Sequence, residues 1–401
     1  MQTIIILTST FPRWANDEEP PFVYELCKRL NKYFRVIVLA PHCKGALNRE
    51  NLSGIEVNRF HYFPEKYETL CYEGGMIARL KLQPLRHCLI PFFFFFQFIA
   101  LLRLLKKESP ALIHAHWILP QGFIAVAARM FCRKKTPVLC TSHGGDLFSL
   151  KGRIAQCLKR WVLIKTDEIT VVNSVMQQIV VALTMQSANV HVIPMGVDTK
   201  TVFTPDFKRQ KPFSLLFVGR LVEKKGLRFL INTLPEILER YPLTTLTIIG
   251  SGPEAPALQQ QVLDKNLSKQ VVFTGPVHNR SLPAYYQRHQ IAVFPFIIGR
   301  DGDREGLPVV VSEAIACGCN IVTTDLPGIE DLMRHNKHGI IVAQKNSAAL
   351  TQGILLLFDN PKQAQTLKTN ALRHVQQISD WEVIANRYHN LIQTSIEQSG
   401  Q

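Results

Sequence analysis

The 401-residue sequence contains no CxxC pair, and its nine cysteines are odd in number and irregularly placed. That spacing excludes a disulfide framework and a zinc ribbon. Cys317 and Cys319 flank Gly318, but a CxC without neighbouring ligands reads as small-residue packing, not as a metal site. The chain opens on a strand-like run, not a signal peptide, so a reducing cytoplasm is the expected compartment. No uninterrupted apolar stretch reaches the roughly 20 residues that a membrane-spanning helix needs. The nearest approach is 89–105, with five phenylalanines at Phe92 to Phe96, where Pro91, Gln97 and Arg103 interrupt the run. A buried or half-buried helix is expected there, with an interfacial helix dipping into lipid as the alternative.

What is present is a folded, basic chain. Hydrophobic residues make up 46% and charged residues 19%, so disorder is not expected. The length suggests two α/β-sized domains. Lys and Arg exceed Asp and Glu by 15 overall, and 11 of that surplus falls in residues 1–200. Basic clusters at Arg103, Lys106 and Lys107, at Arg133 to Lys135, and at Lys159 and Arg160 suit an anionic bilayer or anionic acceptor, or are simply a solvated surface. Nucleic acid is not an expected partner, because no RNP sequence or zinc finger accompanies the charge.

Short apolar runs alternate with helical patterns throughout. The first series is Thr3 to Leu7, Val36 to Leu39, Ala111 to His114, Val138 to Thr141, Glu168 to Val172 and Val190 to Ile193, with an amphipathic helix at Phe22 to Leu30. After a connector containing Pro205 and Pro212, a second series starts: Ser214 to Val218, Thr245 to Ile249, Val271 to Phe273, Ile291 to Phe294, Asn320 to Thr323 and Gly339 to Val342. This alternation predicts two Rossmann-like α/β halves with parallel sheets facing a central cleft. No GxGxxG opens the first helix, which excludes dinucleotide chemistry of the dehydrogenase kind. Ligands of open α/β sheets bind beyond the carboxyl ends of the strands, so the motifs there matter most.

Two of them combine charge with backbone freedom. In FVGRLVEKKG a strand ends at Gly219, and Arg220 and Lys225 follow in a loop entering a helix, a pair of cations suited to a diphosphate. In DGDREGLPVVVSEAIACG an acidic, glycine-rich loop leads through Gly306, Leu307 and Pro308 into a helix. The amides at that helix start suit phosphate or sugar oxygens. Glu305 and Glu313 are placed to accept hydrogen bonds from vicinal hydroxyls. In the first half, TSHGGDLF follows a strand and sends His143 toward the cleft. Asp146 either contacts an acceptor or holds the loop, and His114 and His116 in HAHW share one strand face without a third ligand, which favours a structural or acceptor-side role over a metal pair.

The EGLP region resembles the E-x7-E signature of the GT-B glycosyltransferases, specifically glycosyltransferase family 4. The resemblance extends through VGRLVEKKG, IIGSGPE, FTGPVHNRSLPAYY and TDLPGIEDLM in the second half and HAHW, TSHGGDLF and VIPMGVD in the first. It implies a GT-B fold: an acceptor domain over 1–198, a nucleotide-sugar donor domain over 199–378, and a C-terminal helix, 379–401, crossing back to the first. It implies that Arg220 and Lys225 hold the diphosphate, Glu305 the donor sugar and Glu313 the ribose, with Val277 and His278 beside the base and His143 beside the transferred sugar. Gly219, Gly250 and Gly252 are expected to let backbone approach the nucleotide. Where many relatives carry paired glycines after the first strand, this chain has Pro20 and Pro21, so that loop is expected to shape the acceptor pocket with Arg13 and Asp17. The implied activity is retaining transfer from a nucleotide-sugar, UDP before GDP, to a glycan or lipid-linked acceptor, with no cofactor and no metal. It is placed in the cytoplasm or at the inner face of the cytoplasmic membrane. A nucleotide-sugar 2-epimerase of the same architecture and a noncatalytic nucleotide-sugar binder are the alternatives.

Overall fold

A computed structural model describes residues 1–401 except 16, 18–21, 73–74, 77–78, 81–82, 133–134, 150–151, 301 and 400–401. Pro20 and Pro21, Arg133 and Lys134, and Asp301 of the acidic loop therefore lie outside the described residues. The chain divides into two compact units, Met1–Ile193 with Ile384–Gln401, and Pro194–Val383.

The first unit is built on an eight-stranded sheet. Its strands are β1 (Thr3–Leu7), β2 (Arg35–Pro41), β3 (Arg49–Leu52), β4 (Ile55–Phe60), β5 (Leu112–His116), β6 (Val138–Ser142), β7 (Glu168–Val171) and β8 (Val190–Val192). They lie in the order β3-β4-β2-β1-β5-β6-β7-β8. Every pairing is parallel except β3 with β4. Ile4, Ile5, Ile6 and Leu7 are all fully buried, the mark of a strand covered on both faces. The covering helices include α1 (Phe22–Leu30), α2 (Ile90–Glu108), α3 (Phe123–Arg129), α4 (Gly145–Ser149), α5 (Arg153–Lys165) and α6 (Ser174–Thr184). Asn173 caps α6 by accepting from the Met176 amide at 2.8 Å. In α2, Phe93, Gln97, Leu101 and Leu105 are buried at four-residue spacing, so one face packs inward and the opposite one stays outside. The expected half-buried helix is thus present. The β3–β4 hairpin is an element that the alternating runs did not reveal.

The second unit carries a wholly parallel six-stranded sheet. Its strands are β9 (Lys211–Val218), β10 (Thr245–Ile249), β11 (Val271–Gly275), β12 (His289–Phe294), β13 (Asn320–Thr324) and β14 (Ile340–Val342), ordered β11-β10-β9-β12-β13-β14. Counted within the unit this order is 3-2-1-4-5-6, that of a Rossmann fold, with its topological switch between β9 and β12. Helices α7 (Leu227–Arg240), α8 (Ala255–Asp264), α9 (Leu282–Arg288), α10 (Val309–Ala316), α11 (Ser347–Asp359) and α12 (Pro361–Ile378) cover it. The last helix, α13 (Trp381–Ser399), begins in the second unit and from Ile384 belongs to the first.

Candidate active site

The switch point of the second sheet fixes where a ligand can sit, and the segments that leave β9 and β12 there carry the charged motifs. The loop after β9 is stitched to that after β12 by Ile297 N to Lys224 O at 2.9 Å, and to the ends of β10 and β11 by Gly219 N to Ile249 O at 3.0 Å, Leu221 N to Ser251 O at 2.9 Å and Gly250 N to Gly275 O at 2.9 Å. That stitching explains two glycines. A Cβ on Gly250 would lie 2.0 Å from the Gly219 carbonyl oxygen, and one on Gly252 would lie 2.3 Å from that of Leu221. Gly250 and Gly252 are thus required for loop-against-loop packing.

Glu305 stands at the centre of a charged cluster. Its Oε1 lies 3.2 Å from Lys224 Nζ and its Oε2 3.3 Å from Lys225 Nζ. Lys224 also reaches Asp303 at 3.3 Å, and the Lys225 ammonium sits 4.9 Å above the Phe296 ring. Burial pushes the Glu305 carboxyl up, but Lys225 and Lys224 together outweigh it and hold the group below the usual carboxylate range. Burial likewise lowers the Lys224 ammonium, and Glu305 and Asp303 reverse this, leaving it raised. Arg220, by contrast, is exposed and makes no ion pair among the described residues. The cation pair expected of Arg220 and Lys225 therefore divides into a solvated guanidinium and a buried, pre-paired ammonium. An ammonium has three N–H donors, so the Glu305 contact leaves Lys225 able to meet further oxygens.

Pro308 caps α10 with extended backbone, and Gly306 and Leu307 precede it half-buried. Glu313 lies within α10, whose residues from Val311 to Ala316 are all buried. Its Oε2 accepts a hydrogen bond from the Tyr286 hydroxyl at 3.0 Å. Burial pushes this carboxyl up to about 7 against the opposing pull of Tyr286 and Lys225. Glu305 and Glu313 therefore differ in kind, the first a fixed anion between lysines, the second a titrating group at neutral pH. Val277 is half-buried and His278 exposed in the segment after β11.

In the first unit the switch lies between β1 and β5, and there histidines replace charge. His116 Nδ1 and His143 Nε2 are 3.0 Å apart, with their rings nearly parallel. Phe22 and Trp117 pack on His143 at centroid distances of 4.9 and 5.2 Å. Burial pushes His143 down to about 3 and His116 well below the usual imidazole range, so both are neutral at physiological pH. One ring must then donate to the other, and His143 Nδ1 has no hydrogen-bond partner among the described residues. His114 binds the Thr141 hydroxyl at 2.7 Å and is fully buried.

The acceptor-side candidates are each held by neighbouring groups. His116 is 1% exposed and holds His143, so it positions that residue and does not face an acceptor. Asp146 holds the loop: one oxygen accepts from the Ile118 amide at 2.7 Å, the other from the Ser142 hydroxyl at 2.8 Å. Arg13 and Asp17 engage each other, since Asp17 accepts from the Arg13 amide, Nε and guanidinium nitrogen at 2.8, 2.9 and 2.6 Å. Sequence reasoning also missed Lys224 and Tyr286, the partners that set the states of Glu305 and Glu313. Lys224 stood visible beside Lys225, whereas nothing in the spacing marked Tyr286.

Two Rossmann-like units, with cations and a carboxylate gathered at the helix start of the second, suit the binding of a nucleotide-sugar. Residues 21–201 match the family described as "Glycosyltransferase Family 4" and residues 198–374 that described as "Glycosyl transferases group 1". The chain belongs to glycosyltransferase family 4, and its fold is GT-B. It is similar to the glycogen synthase of Mycobacterium tuberculosis, 27% identical over 290 residues, 70% of this chain and 68% of that one. It is also similar to a GDP-mannose-dependent alpha-(1-6)-phosphatidylinositol monomannoside mannosyltransferase of Mycolicibacterium smegmatis, 28% identical over 241 residues, 57% and 63% of the two chains. Among solved structures, sucrose-phosphate synthase of Thermosynechococcus elongatus superposes with a TM-score of 0.79 at 21% identity, covering 99% of this chain and 100% of that one. HepE of Anabaena, in complex with UDP-glucose, superposes with 0.73 at 16% identity, covering 98% and 100%. The activity class is glycosyl transfer, not epimerisation or noncatalytic binding.

Proposed function

We propose that this enzyme transfers a sugar from UDP, with retention of configuration, to a hydroxyl of a cell-surface glycan or lipid-linked acceptor. The observation that carries the reading is the Lys225–Glu305 pair at the start of α10, with the exposed Arg220 on the neighbouring loop. Lys225, Arg220 and the helix start stabilise the departing diphosphate, where charge builds up most as the glycosidic ester breaks. Glu305, its two oxygens each anchored by a lysine, accepts from hydroxyls of the donor sugar, and Glu313 accepts from the ribose diol. His143, flanked by Phe22 and Trp117, is the residue assigned to the transferred sugar. No protein group is needed as nucleophile: the leaving phosphate takes the proton of the acceptor hydroxyl, which attacks the oxocarbenium-like sugar from the same face. Fixed cations neutralise the phosphates, so this step is written without a metal. UDP is preferred over GDP on the likeness to a UDP-glucose complex, against which stands a relative that is GDP-mannose-dependent.

A lipid-side acceptor agrees with the outer face of α2. The segment Pro84–Glu108 is long and apolar enough to cross a membrane, yet its inward face packs on the unit. Phe92, Phe95 and Phe96 are 44%, 58% and 41% exposed. Ring contacts link Phe94 to Phe123 and Phe123 to Trp161, which joins α2, α3 and α5 into one apolar surface. Arg103, Lys106, Lys107 and Arg160 supply positive charge on these helices. Lys159 does not join them, because it is fully buried with its ammonium donating to the Leu147 carbonyl. The exposed phenylalanines and the basic residues beside them support a peripheral location at the inner face of the cytoplasmic membrane.

Thermal-shift screening against UDP-, GDP- and ADP-sugars, followed by anomeric assignment of the product by NMR, tests the catalytic reading. Stabilisation by UDP-sugars and a retained anomer are expected; an inverted product or selective stabilisation by GDP-sugars would overturn it. Sedimentation with anionic vesicles tests the location, with a loss of bound protein expected for the double substitution Phe95→Ser and Phe96→Ser.

A further inference from the structure

Strands β2 and β4 pair through Pro41 and Phe60, the last partners in their register. The next residue of each, His42 and His61, leaves the sheet side by side, and the ring centroids lie 3.8 Å apart. Both Nδ1 atoms face the same oxygen, Glu68 Oε2, at 2.6 Å for His42 and 3.2 Å for His61. The three donor atoms lie within 4.8 Å of one another. The outward nitrogens are also engaged: His42 Nε2 meets the Ala46 carbonyl at 2.9 Å and His61 Nε2 meets Asn48 Oδ1 at 2.8 Å. The other oxygen of Glu68 accepts from the Tyr62 amide at 2.8 Å.

What makes this cluster informative is its convergence: two imidazole nitrogens and a carboxylate oxygen, from a buried histidine, a partly exposed one and a buried glutamate, meet at one point, the donor set of a divalent-cation site. With Nε2–H donated to Ala46 and Asn48, each Nδ1 lone pair is free to ligate, and this outward hydrogen bond is how metal-bound imidazoles are oriented. The geometry points to a site for a zinc-class divalent cation, held by His42 Nδ1, His61 Nδ1 and a Glu68 carboxylate oxygen. Bonds of about 2.0–2.1 Å in a tetrahedron set ligand atoms about 3.3 Å apart. The His61–Glu68 separation is already close to this, and the His42–Glu68 contact would lengthen by about 0.7 Å. Two imidazoles and one carboxylate leave a fourth position for water. The cation would join the segments after β2 and β4, beside Arg59, which donates to the carbonyls of Leu47 at 2.8 Å and Pro12 at 2.7 Å. This assignment departs from the expectation of no metal, at a place apart from the residues assigned to the donor phosphates.

The test is a titration of the full chain, stripped by chelator and dialysed, with zinc in competition with a chromophoric chelator. One zinc per chain and a raised melting temperature are expected, and cobalt in place of zinc should give the intense visible absorption of a four-coordinate ion. His61→Ala removes a partly exposed ligand and should retain the fold, checked by unchanged circular dichroism and UDP affinity. It should weaken zinc by about 100-fold or more. Glu68→Gln should weaken zinc comparably. Absence of binding at micromolar zinc, or the same affinity in wild type and His61→Ala, would overturn the proposal. The second outcome would assign the uptake to the cysteines.

Discussion

The two units place opposite chemistry at the switch points of similar sheets. In the second, Lys224, Lys225, Asp303 and Glu305 form a charged network with every lysine paired. In the first, His114, His116 and His143 are neutral, and aromatic rings fill the space around them. The switch point of a parallel sheet can thus present either a fixed field or a neutral hydrogen-bonding surface, depending on whether the loops supply lysines or imidazoles. A diphosphate needs the first, because its charge must be met by preorganised cations. A sugar hydroxyl needs only the second.

The largest effect that would sharpen this contrast is expected from Lys225→Ala. Lys224 remains 3.2 Å from Glu305, so the carboxylate keeps one partner and the fold should survive. Turnover should fall by about 10²–10³-fold, the range for removing one preorganised donor to a developing anion, with weaker UDP affinity by calorimetry. Unchanged turnover and affinity would remove Lys225 from the site. A smaller effect is expected from His143→Ala: a loss in turnover of about 10–100-fold, as for one unmade buried hydrogen bond, with UDP affinity unaltered. A weaker UDP affinity in that variant would break the division of labour between the units.

Much of this was legible in the sequence because it is local. Thr3 to Leu7, Phe22 to Leu30 and Thr245 to Ile249 form the expected elements with the expected bounds, since periodicity within a run reports directly on burial. Pro308 marked the start of α10 for a similarly local reason. What the sequence concealed are pairings across distance. Glu305 finds Lys224 about eighty positions away only because β9 and β12 are neighbours in the sheet. His116 meets His143 because the parallel register of β5 and β6 sets His116 opposite Thr141, two residues before His143. The β3–β4 hairpin was missed where Arg49, Glu50 and Asn51 make a short edge strand with little apolar character. Of the two roles open to Asp146 its neighbours favour holding the loop, and Arg13 and Asp17, expected at an acceptor pocket, hold each other.

The smallest expected effect concerns Glu313, the one carboxyl of the pair that titrates near neutrality. Its pKa is raised by burial from an ordinary value of 4.5 to about 7, so the folded state binds this proton more tightly than the unfolded chain. The contribution to stability is complete below about pH 4.5 and is lost as pH rises through about 7, on the order of 3 kcal/mol in total. Nucleotide binding should run the other way. A carboxylate accepts from both ribose hydroxyls, whereas a protonated carboxyl must spend one oxygen as a donor, so UDP affinity should rise with the ionised fraction. Between pH 6 and pH 8 the gain should be about tenfold. Glu313→Gln, which keeps the shape and an acceptor for Tyr286, should flatten both slopes: a melting temperature less dependent on pH, and a UDP affinity fixed near the wild-type value at pH 6. Calorimetric titration of UDP across that range decides the matter, and a slope that persists in the glutamine variant would assign the titration to another group.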